Sequence, residues 1–357
     1  MQAIKTPDHE DEQDALPQGG RRMRPVLTVF GIGGLLLTVH LMYGAWPGLT
    51  ALVHRAGIAL GWVVPLRFAA LGLDARGWWS LFPERRDAPS WWRLTLLAFV
   101  RDGINNLLPV VRVGGEMVAV RLLGQRGVPT PLAAASIVVE ISVTLVVLIV
   151  LTFAGLGALL VRIGAEPFVT SMLLAAILSA VMVGAFLMLQ VRVGLAGGVE
   201  RLLARVLRRE ARTRPDAFAH FDRDVLAIYA RFGGLLRCAG WQVMGLAGGM
   251  AEMWWVLRLI RVPISIDALF VLESLILALQ SLSFAVPAAL GVQEGGFVLL
   301  GSALGLGPDV SLLLALVRRM RQVVTGLPAL ALWRWQEAQP ARPQALAMAE
   351  PVPQRRA

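Results

Sequence analysis

The segment "NNLLPVVRVGGEM", from Asn105 to Met117, places a proline, two adjacent glycines, an arginine and a glutamate within an otherwise apolar stretch. The chain has 357 residues, of which 56% are hydrophobic and 16% charged. An average soluble domain has about a quarter charged residues. The apolar residues come in blocks of about 20, the length that spans a hydrocarbon core of about 30 Å. These features predict an all-α polytopic membrane protein.

The net charge of +10 is carried by arginines that cluster in segments beside the apolar blocks. This distribution is typical of the positive-inside rule and argues against a nucleic-acid-binding surface. A basic run, Arg21–Arg24, precedes the first apolar block at about residues 26–45, so we expect a cytoplasmic N-terminus. The single cysteine, Cys238, excludes an internal disulfide and a multi-cysteine metal site. No metal and no cofactor are expected.

Composition divides the chain into one membrane domain and two tails. Residues 1–24 and 336–357 are polar or rich in Pro and Ala, and we expect both to be disordered, the first of them in the cytoplasm. Residues 25–335 are expected to form a single transmembrane domain. Its longest polar stretch, about residues 191–224, contains eight arginines and is therefore assigned to the cytoplasm.

Two apolar blocks precede the cytoplasmic stretch at 191–224, so the first of them, Leu132–Leu160, has to start in the cytoplasm. In this topology the segment of about residues 94–128 begins and ends in the cytoplasm. Such a segment is too short for two full spans of about 20 residues each with a turn. It suits a re-entrant pair of half-helices, broken at Pro109 and at Gly114–Gly115. Backbone left unpaired at membrane depth is tolerated where it is buried or lines a cavity, so we expect this segment to line one.

A second interruption, "VPAALGVQEGG" at residues 286–296, repeats the first at an offset of 178 positions. At this offset Pro109 meets Pro287, Glu116 meets Glu294, Gly127 meets Gly305, and Glu140 meets Arg318. Matching Gly- or Pro-interrupted segments in two halves are typical of transporters built from inverted repeats.

We therefore expect about six full transmembrane helices and two re-entrant hairpins, or about eight spans if each hairpin is counted as one. The second hairpin, about residues 266–305, would enter from the periplasm. A full crossing within residues 266–305 is the alternative, and it would place the C-terminus outside.

Three arginines, Arg318, Arg319 and Arg321, fall in the middle of the last apolar block, which begins at about Asp309. A central arginine costs about 2.5–3.5 kcal/mol on insertion scales, so three of them need acids, water or an anionic ligand. The acids within or beside apolar blocks are Glu116, Glu140, Glu252, Glu273 and Glu294. One interpretation is a polar cavity in which guanidinium groups receive a phosphate or carboxylate headgroup. The alternative is that the cluster extends to a membrane interface.

Two long segments resemble the signature regions of the flippase-like membrane family, which includes the transmembrane domain of lysylphosphatidylglycerol synthases. They are "NNLLPVVRVGGEMVAVRLLGQRGVP" and "VPAALGVQEGGFVLLGSALGL" followed by "LVRRMRQVVTGLPAL". The early "FAALGLDARGWWSLF" and the form of "NNLLPVVRVGGE" are most similar to the hopanoid-associated branch. The resemblance covers about residues 26–335.

The resemblance implies an inner-membrane protein, multi-pass and bacterial, that translocates or otherwise handles hopanoid or related lipids. Its partners would be membrane lipids, either hopanoid or anionic, and lipid-biosynthesis enzymes, whereas the oligomeric state stays open. No H-E-x-x-H, G-x-S-x-G or P-loop motif occurs, so we expect no enzymatic activity. A membrane-embedded enzyme, or a scaffold of hopanoid or phospholipid biosynthesis, is the alternative.

The positions expected to line a lipid headgroup cavity combine both interruptions with the charges of the long helices. Asn105 and Asn106 suit either a substrate hydrogen bond or a helix cap. The full candidate set is Asn106, Pro109, Arg112, Gly114, Gly115, Glu116, Glu140, Pro287, Gly291, Glu294, Arg318, Arg319 and Arg321.

Overall fold

The apolar blocks form helices throughout the part of the chain that the structure describes. This computed structural model describes residues 57–82, 88–107, 114–192, 215–282 and 291–339, together with Tyr43, Pro47, Thr50, Ala51 and His54. Within these ranges all regular structure is helical. The predicted first span at residues 26–45, apart from Tyr43, and the tails 1–24 and 340–357 lie outside the described residues.

A short 3₁₀ helix, Gly57–Trp62, leads into ten α-helices within the described ranges. These are α1 Val63–Trp79, α2 Trp91–Leu107, α3 Gly114–Gln125, α4 Thr130–Ile163, α5 Pro167–Arg192, α6 Pro215–Tyr229, α7 Phe232–Leu259, α8 Ile266–Leu282, α9 Val292–Ala303 and α10 Pro308–Glu337.

Two of these helices, α4 and α5, are long and apolar enough to cross a membrane, judged by length and composition within the described residues. α4 has 34 residues and α5 has 26. A span needs about 20 residues, so both have length to spare. An all-helical chain with such helices is consistent with the expected helical membrane protein.

Two sets of three consecutive helices have the same order of lengths, and they are related by the offset of 178 positions found in the sequence. In the first, α2, α3 and α4 have 17, 12 and 34 residues; in the second, α8, α9 and α10 have 17, 12 and 30. α3 and α9 start 178 residues apart, and so do α4 and α10. Gly127 and Gly305, also 178 apart, both have positive φ angles, 93° and 82°, in the turns before the long helices. We name these sets triplet 1 and triplet 2.

Two apolar cores occupy opposite parts of the bundle. One contains Leu132 and Val143 of α4 with residues of α1, α2 and α3, and the other contains Leu156 and Leu159 of α4 with residues of α7 to α10. α4 therefore crosses both cores, and its residues 144–155 lie between them. Five residues of this interval, from Thr144 to Leu151, line a cavity together with charged side chains of α1, α2 and α3.

The polar stretch expected to be a cytoplasmic loop contains a helix that sequence reasoning did not predict. α6, Pro215–Tyr229, packs against α4, and its Val225 and Ile228 are buried. The Tyr229 hydroxyl donates a hydrogen bond to Gln190 Oε1 at 2.8 Å. These contacts attach α6 to the end of α5.

The packing of α2 on α10 depends on small residues. A Cβ added at Gly103 would overlap Ala329 and lie 3.3 Å from Gly326, whereas one added at Gly157 would meet nothing within 4 Å. We expect Gly103→Leu to lower the free energy of unfolding by about 1–3 kcal/mol through overpacking. Gly157→Leu, the matched control on α4, should leave it nearly unchanged. Thermal unfolding of the purified variants in detergent measures both, and equal stability of the two would contradict this packing.

Candidate functional site

Buried arginines and carboxylates form paired contacts within the helix bundle. Arg101 of α2 donates two hydrogen bonds to Glu140 of α4, both at 2.8 Å. Arg318 of α10 donates two to Glu273 of α8, at 2.7 and 3.2 Å. Bidentate geometry of this kind is the strong form of an arginine–carboxylate pair.

These two pairs occupy equivalent places in the two triplets, with the charges exchanged. Glu140 and Arg318 are both the eleventh residue of the long helix. Their partners, Arg101 and Glu273, lie on the first helix of the same triplet, at positions one helical turn apart. The exchange of acid for base noted in the sequence is therefore compensated within each triplet.

The other two arginines of the last apolar block also lie against carboxylates. Arg319 donates hydrogen bonds to Glu294 Oε1 at 2.9 and 3.1 Å. Arg321 Nε lies 2.7 Å from Glu252 Oε1, although the two atoms are not aligned for a hydrogen bond. Arg318, Arg319 and Arg321 are only 5–7% exposed. Buried pairing of this kind argues against the alternative in which the cluster extends to a membrane interface.

In each triplet an amide side chain near the end of the first helix contacts the first turn of the second helix. In triplet 1, Asn105 accepts a hydrogen bond from the Gly115 amide at 3.0 Å and donates one to Glu116 at 3.0 Å. In triplet 2, Gln280 donates to Gln293 Oε1 at 2.8 Å. Asn105 and Gln280 are both the fifteenth residue of the first helix. Asn105 therefore caps α3, one of the two roles that the sequence left open.

Glycine is required at position 115 by the close approach of α3 to α2. A Cβ there would lie 2.7 Å from the Arg101 carbonyl oxygen and 2.8 Å from Asn105 Oδ1. In triplet 2, Gly291 has a φ of 79°, and its amide donates to Glu294 Oε2 at 2.8 Å. These glycines thus set the local backbone geometry at the starts of α3 and α9.

Two adjoining polar cavities, of about 330 and 350 Å³, open among these groups. Their walls come from α1, α2, α3, α4, α8 and α10, with α7 on one side. Both cavities are lined by Arg67, Asp74, Arg101, Glu116 and Thr144. We refer to the two together as the charged cavity.

The predicted site residues divide into three groups. Asn106, Glu116, Glu140, Arg318 and Arg321 line the charged cavity. Gly291, Glu294 and Arg319 contact one another but do not line it, and Gly114 and Gly115 begin α3. Pro109, Arg112 and Pro287 lie outside the described residues.

Four charged cavity residues were missed by sequence reasoning, namely Arg67, Asp74, Arg101 and Asp102. Arg67 donates a hydrogen bond to Asp102 at 2.6 Å. A signal was present, because Arg67 and Asp74 are seven residues apart and so share one face of an apolar helix. Neither Asp74 nor Glu116 forms an ion pair with another described residue.

The chemistry that this cavity offers is hydrogen bonding and charge. Its wall alternates guanidinium donors with carboxylate and amide acceptors. Among the residues that the structure describes, no three His, Cys, Asp or Glu side chains are grouped as metal ligands would be. The cavity therefore suits a polar group that can both donate and accept hydrogen bonds.

The buried pair Glu273–Arg318 provides a direct test of this electrostatic arrangement. Arg318→Met should lower the free energy of unfolding by about 3–5 kcal/mol, because it leaves Glu273 buried without its partner. The double variant Glu273→Gln with Arg318→Met should recover most of that loss. Arg121→Met, at the more exposed Arg121–Glu337 pair, should cost less than about 1 kcal/mol. Thermal unfolding in detergent distinguishes these cases, and a double variant as unstable as Arg318→Met would refute the pairing.

Comparison with known proteins identifies the family. The family described as Lysylphosphatidylglycerol synthase TM region matches residues 27–329, most of the chain. Comparison with curated proteins and with solved structures gave no match. The match agrees with the resemblance seen in the sequence, and this family indicates a membrane protein of lipid metabolism or transport. The chain therefore belongs to the lysylphosphatidylglycerol synthase transmembrane-region family.

Proposed function

We propose that this protein is a lipid translocase of the bacterial inner membrane, in which the charged cavity receives the lipid headgroup. The observation that carries the proposal is a polar cavity walled by four paired arginines inside a bundle of membrane helices. Charged groups within a membrane are costly and mark the paths of substrates and ions. We assign no covalent chemistry to the site.

The two triplets are proposed to be inverted repeats, each with a re-entrant pair of helices. Two contacts support this arrangement. Arg162, at the end of α4, pairs with Asp267 at the start of α8. Arg121, near the end of α3, lies 3.5 Å from Glu337 at the end of α10. Triplet 2 therefore begins beside the end of α4, about 50 Å along the helix axis from Thr130, where the long helix of triplet 1 begins.

This arrangement assigns a membrane side to each triplet. With the N-terminus in the cytoplasm, the hairpin of α2 and α3 enters the membrane from the cytoplasmic side. The hairpin of α8 and α9 enters from the periplasmic side. Both half-helix pairs then meet the charged cavity near the midplane. Rocking of one repeat against the other would expose the cavity to each leaflet in turn, as in other transporters with inverted repeats.

The proposed cargo is a hopanoid or an anionic lipid. Each cavity arginine already has a carboxylate partner, so a bare anion would have to compete with an acid. A headgroup that carries hydroxyls beside a phosphate, or a polyol, would instead donate to the carboxylates and accept from the guanidinium groups. The alternation of donors and acceptors on the wall therefore favours hydroxyl-rich headgroups.

The topology is tested by cysteine labelling in a Cys238→Ser background. Thr130 and Pro308 are exposed first residues of the equivalent helices α4 and α10. A membrane-impermeant maleimide should label Pro308→Cys in intact spheroplasts but Thr130→Cys only after permeabilisation. Labelling of both from the same side would rule out the inverted arrangement.

Translocation is tested with purified protein in vesicles that contain either fluorescent phosphatidylglycerol or a fluorescent hopanoid polyol, with dithionite quenching of the outer leaflet. The double variant Arg101→Met with Glu140→Gln should lower the rate of translocation about tenfold, equivalent to about 1.4 kcal/mol, because the cavity loses a charged pair. Its control is Arg162→Met with Asp267→Asn, a pair removed from the cavity and more exposed. Equal rates for both double variants and the unaltered protein would contradict the proposed site.

A further inference from the structure

An apolar groove lies between α4, α5 and α8, beside the charged cavity. It has a volume of about 180 Å³. One wall is α5, which packs mainly on α4 and leaves most of its large side chains exposed, with only Val169, Ala176 and Gln190 buried. The groove is partly open at the surface of the helix bundle.

The groove adjoins the charged cavity. Leu145, Leu148 and Ser281 line both of them. On α4, the face that begins at Thr144 in the cavity continues through Leu148 and Thr152 to Leu156 in the groove. These residues recur at helical spacing and extend about 18 Å along the axis. A molecule with its polar end in the cavity therefore has a direct path for its apolar part.

The chemistry of the groove selects an apolar occupant. Its polar side chains include Thr152 and Ser179. The Thr152 hydroxyl donates to the Leu148 carbonyl at 2.7 Å, and the Ser179 hydroxyl donates to the Ala175 carbonyl at 2.7 Å. Since both donors are used by the helices themselves, the groove offers van der Waals contact and few hydrogen bonds.

We infer that this groove binds the hydrocarbon portion of the lipid whose headgroup occupies the charged cavity. The inference rests on the proposed function for the headgroup and adds a second subsite for the same molecule. A groove that binds cargo differs from a surface that contacts any membrane lipid. Occupancy by cargo depends on the headgroup as well as on the hydrocarbon. Apolar contact alone would not discriminate, since bilayer chains are as apolar as leucine.

Photolabelling of the protein in nanodiscs tests this dependence. The probes are phosphatidylglycerol and a hopanoid polyol, each with a diazirine on its hydrocarbon part, and the headless controls are diacylglycerol and a hopanoid hydrocarbon with the same diazirine. We expect at least one headed probe to label groove residues about tenfold more than its headless control, equivalent to about 1.4 kcal/mol. Equal labelling by headed and headless probes of both kinds would identify the occupant as bulk lipid and overturn the inference.

A matched pair of variants locates the labelled site. Ala175 is exposed and lines the groove, whereas Ala185 is exposed on the same helix and does not line it. Ala175→Trp should lower headed-probe labelling severalfold, and Ala185→Trp should not, because only the first fills the groove. Loss of labelling in both variants, or in neither, would contradict the assignment. Labelling requires no transport, so normal labelling without translocation in vesicles would refute the translocase and leave the groove assignment standing.

Discussion

An arginine buried among membrane helices has to meet an acid at close range, and this requirement determines how the two triplets pack. The water that would solvate a guanidinium group is excluded from the apolar cores, so removing its partner leaves an uncompensated charge. Arg101 with Glu140, and Arg318 with Glu273, join the first helix of each triplet to its long helix. These pairs hold α2 and α8 beside the charged cavity, and the cavity in turn gives the ionic groups a polar wall.

Sequence periodicity and one offset predicted much of the architecture. The apolar block Leu132–Leu160 became α4, and the block expected from Ile266 became α8 with the same first residue. The offset of 178 positions, first seen at Pro109 and Glu116, recurs in the starts of the second and third helices of the triplets, although Pro109 itself is not described. The first helices start 175 residues apart. Proline and glycine can be used to predict where a helix ends because each acts on its own part of the backbone. Such a local effect can be read from the sequence without knowledge of the packing.

The partners of the charges and the wall of the cavity could not be predicted in the same way. The sequence supplied a pool of acids for Arg318, Arg319 and Arg321, but which acid meets which arginine depends on how distant helices pack. Arg67 and Asp102 show this limit, since they lie 35 residues apart and meet only because α1 packs on α2. α6 was missed because the many arginines of the stretch before and within it indicated a loop, and few of its residues are buried.

The distribution of the ion pairs bears on how such a protein could move. Arg101–Glu140 lies within triplet 1, and both Arg318–Glu273 and Arg319–Glu294 lie within triplet 2. A rocking motion of one triplet against the other would therefore leave these three buried pairs intact. The close packing between α2 and α10 is made instead at small residues around Gly103 and Gly326, where contacts are nonpolar. The ion pairs that join the two triplets, Arg162–Asp267 and Arg121–Glu337, are more exposed than the three pairs within them and are therefore weaker. The strong interactions thus make each triplet rigid, and the interface between the triplets remains the part that can change.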